Sequence, residues 1–491
     1  MANYEPVIGL EIHAELSTNS KMFCGCRVVD SVEAAPNSAV CPVCLGMPGM
    51  LPVINRRALE YAIRVALAVN CTIQRHNVFA RKNYFYPDLP KAYQISQYEL
   101  PLATDGWIDL GLEDGKIKRI RVRRVHMEED TGKLTHLEAE AGSLIDFNRS
   151  GVPLLEIVTE PDLHSASEAR LLAMKIRQIL RYLRVNTGDM EKGVIRFEAN
   201  ISLRQVGRSA LGTRTEIKNL NSFRILNDAL EYEIQRQESI LESGREVVQD
   251  TLGWNEKKGQ TYSQRGKEEA HDYRYFPEPD LPPLEIPDDW IEEIRNDLPE
   301  LPGAKADRYQ KEMVLNEYES KILTEERNVA EFFEAAVDSG GEPRPVANWM
   351  TNELFNLMNE NKASIEEIKV TPSALVQLLR LIDEGVVSRN SGKEVLAEMF
   401  SSGASPEEII SDKKLAQITD EKDITYMVRD VLENNPEQLA IFLGGKEQIK
   451  SWFFGQVMQA SQGKANPMIV NDVLSRELAE KQKLGRDYEQ N

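Results

Sequence analysis

The 491-residue sequence predicts an α+β protein. Three observations carry that expectation. Residues 1 to about 295 mix strand-like apolar–polar alternation with turns and a few helices. From about residue 290 onward nearly every segment repeats its apolar residues at helical spacing. At the change of character, "YRYFPEPDLPPLEIPDD" (273–289) is dense in proline and marks a domain exit.

The elements follow in chain order. "VIGLEIHAEL" (7–16) reads as a strand with Val7, Ile8, Leu10, Ile12 and Leu16 apolar. Alternate strand residues point to opposite faces, so Glu11, His13 and Glu15 share one. "NRRALEYAIRVALAVN" (55–70) is a helix with an apolar side. "TDGWIDLGLEDGKIKRIRVRRVHMEED" reads as a hairpin turning at Asp114-Gly115. "GVPLLEIVTEPD" (151–162) sets Glu156 inside an apolar strand, and "IRFEANISL" (195–203) does the same with Glu198 and Asn200. "SASE" (165–168) is a capping-box signature opening a helix. "TRTEIKNLNSF" alternates like a strand, and helix follows over 223–243. Short helices then succeed one another, broken at "LPELPGAK", "SGGEPRP", "VTPSA", "SRNSGK" and "SSGASPEE". The closing "AEKQKLGRDYEQN" reads as a frayed tail.

Net charge is −20, which repels phosphate at long range, so RNA binding would need local basic patches. Two exist. In "KIKRIRVRR" (116–124), Arg119, Arg121 and Arg123 alternate with Ile120 and Val122. In "EARLLAMKIRQILRYLR" (168–184), Arg170, Arg177, Arg181 and Arg184 gather opposite an apolar stripe. Each reads equally as a solvated charged face. No apolar run reaches membrane-spanning length, and "MANYEPVIGL" has neither a signal-peptide nor a transit-peptide pattern. The expected compartment is the cytoplasm, with no membrane partner.

Four of the five cysteines are grouped, Cys24 and Cys26 in "CGC" and Cys41 and Cys44 in "CPVC". Two close pairs on tight turns aim four thiolates at one point, which suits a closed tetrahedral zinc site. In a reducing compartment this spacing favours structural zinc over disulfides. Cys71, in "LAVNCTIQ", reads as a buried small hydrophobe.

"RVHMEEDTGK" (124–133) adds His126, Glu128, Glu129 and Asp130 to the polar groups on strands. Isolated strand carboxylates avoid full burial unless paired, protonated or bound to a cation. Glu11, Glu156 and Glu198 therefore either face solvent or converge on a cation. Mg²⁺ suits such carboxylates and then engages phosphates, whereas His13 would fit Mn²⁺ or Zn²⁺ better. No P-loop and no nucleophile elbow is present.

At these residues the chain resembles the B-subunit family of the tRNA-dependent amidotransferases. The resemblance runs the whole length, through "IGLEIHAEL", "RKNYFYPDLPKAYQISQ" (81–97), "VHMEEDTGK", "DFNRSGVPLLEIVTEPD" (146–162), "EANISLR", "EIKNLNSF" (216–223), "DYRYFPEPDLPPLEI" (272–286) and "GQVMQASQGKANPMIVNDVL". It implies a catalytic cradle of mainly antiparallel strands with flanking helices over 1–295, a helical domain over 296–415 and a small helical tail over 416–491 that binds tRNA. It implies phosphorylation of the side-chain carboxylate of misacylated Glu-tRNA(Gln) or Asp-tRNA(Asn) by ATP and Mg²⁺, then displacement of phosphate by ammonia. The ammonia would come from an amidase-like glutaminase subunit, joined through a small bridging subunit into a heterotrimer. By resemblance Glu11, His13, Glu128, Glu129 and Glu156 belong to the metal and active-site wall. Lys82, Tyr84, Glu198, Asn200, Lys218, Asn219, Tyr273 and Arg274 would line the nucleotide or aminoacyl pocket. A non-catalytic, zinc-stabilised tRNA-binding scaffold is the rival reading.

Overall fold

The structure, a computed structural model, describes residues 4–30, 32–112, 115–137, 142–264 and 273–489. They form two compact units, Met1–Pro302 and Gly303–Asn491.

The first unit is built on a nine-stranded sheet. Its order is Gln260–Ser263, Asp250–Asn255, Thr215–Leu220, Ile195–Gln205, Tyr4–Glu15, Pro153–Thr159, Ile117–Glu129, Ala103–Gly111 and Thr72–Ile73. Pairing is antiparallel except between Thr215–Leu220 and Asp250–Asn255. Alternation along these strands divides the sheet into two unlike faces. One carries Leu10, Ile12, Leu155, Ile157, Val125, Met127, Phe197 and Ala199, all buried. Onto it pack the helices Arg56–Ala68, Ala166–Tyr182 and Phe223–Glu242 in a single core. Each fully buried Leu, Ile or Phe there contributes roughly 1.5–3 kcal/mol. The opposite face keeps the polar residues.

The three helices start where side chains cap them, at Asn55, Ser165 and Ser222. Such a cap stabilises by about 1 kcal/mol. The expected capping box at "SASE" is only half formed. Ser165 Oγ accepts from Glu168 N at 3.1 Å, but Glu168 Oε2 accepts from His164 N at 2.7 Å and from Lys118 Nζ at 2.7 Å. The charge-assisted contact to Lys118 draws the carboxylate away from the cap. The expected hairpin is present, Gly111 pairing with Ile117; Asp114 of its turn lies outside the described residues.

The cationic strand is largely neutralised. Arg119 pairs with Asp109 at 2.7 Å, Arg121 with Asp162 at 2.7 Å and Arg123 with Glu160 at 2.9 Å. On the helix, Arg177 donates to the Gly188 carbonyl at 2.6 Å. These contacts favour the solvated, ion-paired reading of the strand over an open phosphate-binding patch. A second, three-stranded sheet of Phe276–Pro277, Ala80–Asn83 and Tyr93–Ser96 brings segments 82–84 and 273–276 together.

The second unit is helical and has two cores. One is formed by residues such as Tyr309, Phe333, Trp349 and Leu396, the other by Ile424, Phe453, Val470 and Leu474. The last helix runs Pro467–Glu489, so the segment expected to fray is helical. The apolar residues Val470, Val473, Leu474 and Leu478 recur at helical spacing and bind it to its core. Among the described residues no helix is long and apolar enough to cross a membrane.

Candidate functional site

Register converts alternation into a site. His13 lies opposite Glu156, Glu156 opposite His126, Glu11 opposite Glu198, and Asn200 opposite Glu216. Five adjacent strands thus send polar side chains to the face that lacks helices.

They gather in two clusters. In the first, His13 Nε2 stands 3.5 Å from Glu156 Oε2 and 3.9 Å from Glu128 Oε1. His126 Nε2 approaches Glu156 Oε2 from the next strand at 3.2 Å. Burial opposes ionisation of Glu156, but His126 and then His13 hold its carboxyl well below the usual range. Burial likewise opposes charging of His13, and the Glu156 hydrogen bond and surrounding carboxylates still push it up to about 9. In the second cluster, Glu11, Glu198 and Glu216 offer oxygens within 4.8 Å of one another. Lys218 Nζ stands 3.1 Å from Glu198 and 3.4 Å from Glu216. Asn200 Nδ2 donates to Glu11 Oε1 at 2.8 Å. Burial, then the charges of Glu156, Glu198 and Glu216, raise the Glu11 carboxyl. Carboxylates crowded this way are eased by a divalent cation. Two buried polar atoms on this face, His126 Nδ1 and Asn200 Oδ1, have no hydrogen-bond partner among the described residues. Buried polar atoms normally have one, so a ligand on this face has atoms to satisfy.

The other expected residues divide. Lys82 Nζ lies 4.0 Å from Glu128 Oε2 and 5.1 Å from the centre of the Tyr273 ring. Tyr84 packs on Tyr273 with centroids 6.0 Å apart. Asn219 is exposed, at φ 59°, where the register slips between Phe197 and Ala199. Arg274 is exposed, at φ 45°, and its carbonyl accepts from Asn83 Nδ2 at 2.8 Å. Asp272 of that segment lies outside the described residues. Glu129 is the exception. Expected on the metal wall with Glu128, it follows Glu128 directly in a strand and points to the other side. Its carboxylate pairs with Lys91 and accepts from Ile95 N at 2.9 Å.

Glu216 was not anticipated, although "TEIKN" places it between Thr215 and Ile217 in the pattern that marked Glu198. A neighbouring network was not anticipated either. Arg196 pairs with Asp130 at 2.9 Å beside Glu15 and Arg149. Burial and the Asp130 charge push Glu15 up to about 8. Burial opposes ionisation of Asp130, but Arg196 and Arg149 hold it down to about 2. A depressed carboxyl stabilises the fold above its unfolded pKa, and that gain is lost as pH falls towards about 2. Asp130→Asn is therefore expected to cost about 2 kcal/mol in urea unfolding at pH 7. The gap to the parent protein should close between about pH 4 and pH 2.

Cys24, Cys26, Cys41 and Cys44 bring their sulfurs within 4.8 Å of one another. Lys21, fully buried, donates to Cys44 Sγ at 3.7 Å and to the Phe147 carbonyl at 3.2 Å. Four sulfurs beside a buried ammonium form a donor set that could bind a metal and is compatible with structural zinc. Cys71 is buried separately.

Two family models match the chain, the GatB/GatE catalytic domain over residues 6–292 and the GatB domain over residues 331–478. Similar full-length relatives are each named as the B subunit of aspartyl/glutamyl-tRNA(Asn/Gln) amidotransferase. That of Thermodesulfovibrio yellowstonii is 51% identical over 97% of this chain and 100% of its own length. That of Persephonella marina is 52% identical over 96% of this chain and 98% of its own. Identity at this level along both units, with both domain models in order, agrees with the resemblance read from the signature blocks: the chain belongs to the B-subunit family of the aspartyl/glutamyl-tRNA(Asn/Gln) amidotransferases.

Proposed function

We propose that this chain carries out the ATP-dependent half of tRNA-dependent amidation, as a ligase subunit of a cytoplasmic heterotrimer. The substrate is misacylated Glu-tRNA(Gln), Asp-tRNA(Asn) or both. The observation that carries the reading is the pair of acidic clusters on one open strand face, each with a lysine beside it. A carboxylate is a poor acyl donor at neutral pH. Transfer of a γ-phosphoryl group to its oxygen makes that oxygen a leaving group, and ammonia then displaces phosphate to give the amide. Such transfer depends on positioning and charge neutralisation more than on covalent help.

The residues fit divalent cations. Glu11, Glu198 and Glu216 would hold Mg²⁺, and His13, Glu128 and Glu156, with an imidazole in the set, would hold Mg²⁺ or the more imidazole-tolerant Mn²⁺. When bound, Mg²⁺ supplies positive charge against phosphate oxygens. His126 keeps Glu156 ionised and fixes its orientation. Lys82 and Lys218 place ammonium groups at opposite ends of the row, where they attract phosphate and the substrate carboxylate. Burial opposes their charging, but the neighbouring glutamates raise both above the ordinary lysine range, so both stay cationic. Asn200 orients Glu11.

The glutaminase and the bridging function belong to partner subunits. Residues 416–491, with their own core, are the part proposed to hold tRNA, and 296–415 the part that links it to the cradle. Zinc at the four cysteines has a structural role, since four thiolates leave no open position.

The test is phosphate release from ATP by the purified complex. It should be strong with Glu-tRNA(Gln), weak with uncharged tRNA, and about a hundredfold weaker in Glu11→Gln. Full activity in the variant, or equal release under all conditions, would favour the scaffold reading.

A further inference from the structure

We infer that Tyr98 and Arg124 form a nucleotide subsite beside the carboxylate face, the ring carrying a base and the guanidinium a phosphate. The inference rests on the function proposed above. It deepens that reading by naming where a nucleotide unit sits.

Arg124 differs from its neighbours on the same strand. Arg119, Arg121 and Arg123 each hold a carboxylate. Among the described residues Arg124 forms no ion pair, and its buried Nε has no hydrogen-bond partner. The cause is a β-bulge. Pairing with Pro153–Thr159 slips between Val158 and Thr159, opposite Arg124 and Val122. The core side changes there from Ile120 and Val122 to Val125 and Met127. Two consecutive arginines are thereby turned away from the core, and Arg124 falls in step with His126 and Glu128. Guanidinium groups this poorly paired attract phosphate, whose oxygens match their fork.

The second observation is aromatic. The Arg124 guanidinium sits 5.5 Å from the centre of the Tyr98 ring. Tyr98 stacks on Tyr275 at 4.2 Å with planes 7° apart, and 46% of Tyr98 is exposed. Tyr275 meets Tyr273 at 6.0 Å, and Tyr273 meets Tyr84 at 6.0 Å. Lys82 lies over Tyr273 and within 4.0 Å of Glu128. A continuous row of four tyrosines thus runs from the first acidic cluster to a partly open ring beside an arginine that holds no carboxylate among the described residues. Stacking on such rings is tolerant of base identity, and a cation beside the ring takes the phosphate. Two nucleotides of the proposed reaction have this chemistry, ATP and the single-stranded 3′ end of the charged tRNA.

The experiment uses the assembled complex with Arg124→Gln, Arg124→Lys, Tyr98→Ala and Tyr98→Phe. The Michaelis constants for ATP and for Glu-tRNA(Gln) are measured separately by phosphate release. Direct binding is read with a fluorescent ATP analogue and with an acceptor-stem RNA carrying 2-aminopurine at its 3′ end. Arg124→Gln and Tyr98→Ala are expected to weaken the same one of the two ligands about tenfold and to leave the other within about twofold. Tyr98→Phe keeps the ring and should stay close to the parent protein. An effect on ATP alone assigns the subsite to ATP, and an effect on RNA alone assigns it to the tRNA end. No change in either ligand overturns the proposal. If Arg124→Gln fails to assemble, Arg124→Lys decides: weakened binding of one ligand supports the subsite, and unchanged binding of both overturns it. Absence of phosphate release in the parent complex would sink the proposed function, while the two binding titrations would still read the subsite.

Discussion

Glu156→Gln is expected to lower charged-tRNA-dependent phosphate release about a thousandfold, a loss of about 4 kcal/mol in transition-state stabilisation. The side chain is nearly isosteric, so packing survives, but the charge at the centre of the first cluster is gone. Glu156 lies 3.5 Å from His13 and 3.2 Å from His126, and within the ligand set that includes Glu128. An amide offers a cation one weaker oxygen, and its NH₂ faces two imidazoles that had been held by a carboxylate. Two readouts separate this from a folding defect. The circular dichroism spectrum should match that of the parent protein, while Mn²⁺ bound at the site, counted by electron paramagnetic resonance, should fall. In the metal-free protein the titration of His13 should also move down, because Glu156 supplies its strongest upward pull. A rate within threefold of the parent protein would remove Glu156 from the chemistry.

The strength of that prediction comes from register, and register is where the sequence stops being legible. Glu11, His13 and Glu156 could be read from period-two alternation within single strands. The same rule would have found Glu216. What alternation could not reveal is which strands are neighbours, so the meeting of His13 with Glu156 and of Glu11 with Glu198 emerges only in the folded sheet. Adjacent carboxylates are a second blind spot. In "HMEED" the pair Glu128 and Glu129 must face opposite ways, but which one joins the metal wall depends on the bulge near Val158. The charged strand left two readings open for a related reason. Asp109 faces Arg119 across its own hairpin, but Glu160 and Asp162 come from another segment, and only pairing brings them to Arg123 and Arg121. The α+β division and the helix starts at Asn55, Ser165 and Ser222 were legible because capping and amphipathic spacing act within a few residues.

Metal removal should separate structure from chemistry. Chelation of the complex, or Cys44→Ser, is expected to lower the unfolding midpoint of the first unit by about 5 °C or more and to expose the 24–52 loop to protease. Lys21 is the reason the effect should be large. Its ammonium is fully buried, and among the described residues its partners are Cys44 Sγ and the Phe147 carbonyl. Metal-bound thiolates surround that charge with anionic neighbours, and Cys44→Ser removes the nearest of them. The loop also forms one wall of a cavity of about 180 Å³, lined by Cys44, Gly46 and Met47 on one side and Lys91, Glu129 and Tyr93 on the other. Loosening the loop opens that cavity without touching either acidic cluster. With Mg²⁺ restored after a zinc-selective chelator is removed, phosphate release well below the melting range should therefore stay within about threefold of the loaded protein, because a closed four-sulfur site has no position for substrate. Zinc counted by plasma mass spectrometry should fall from one per chain to none in parallel with the midpoint. A tenfold loss of phosphate release in a zinc-free, Mg²⁺-restored sample that still unfolds at the parent temperature would reverse the assignment. It would put this metal in the chemistry and leave the buried Lys21 without the structural role argued for it.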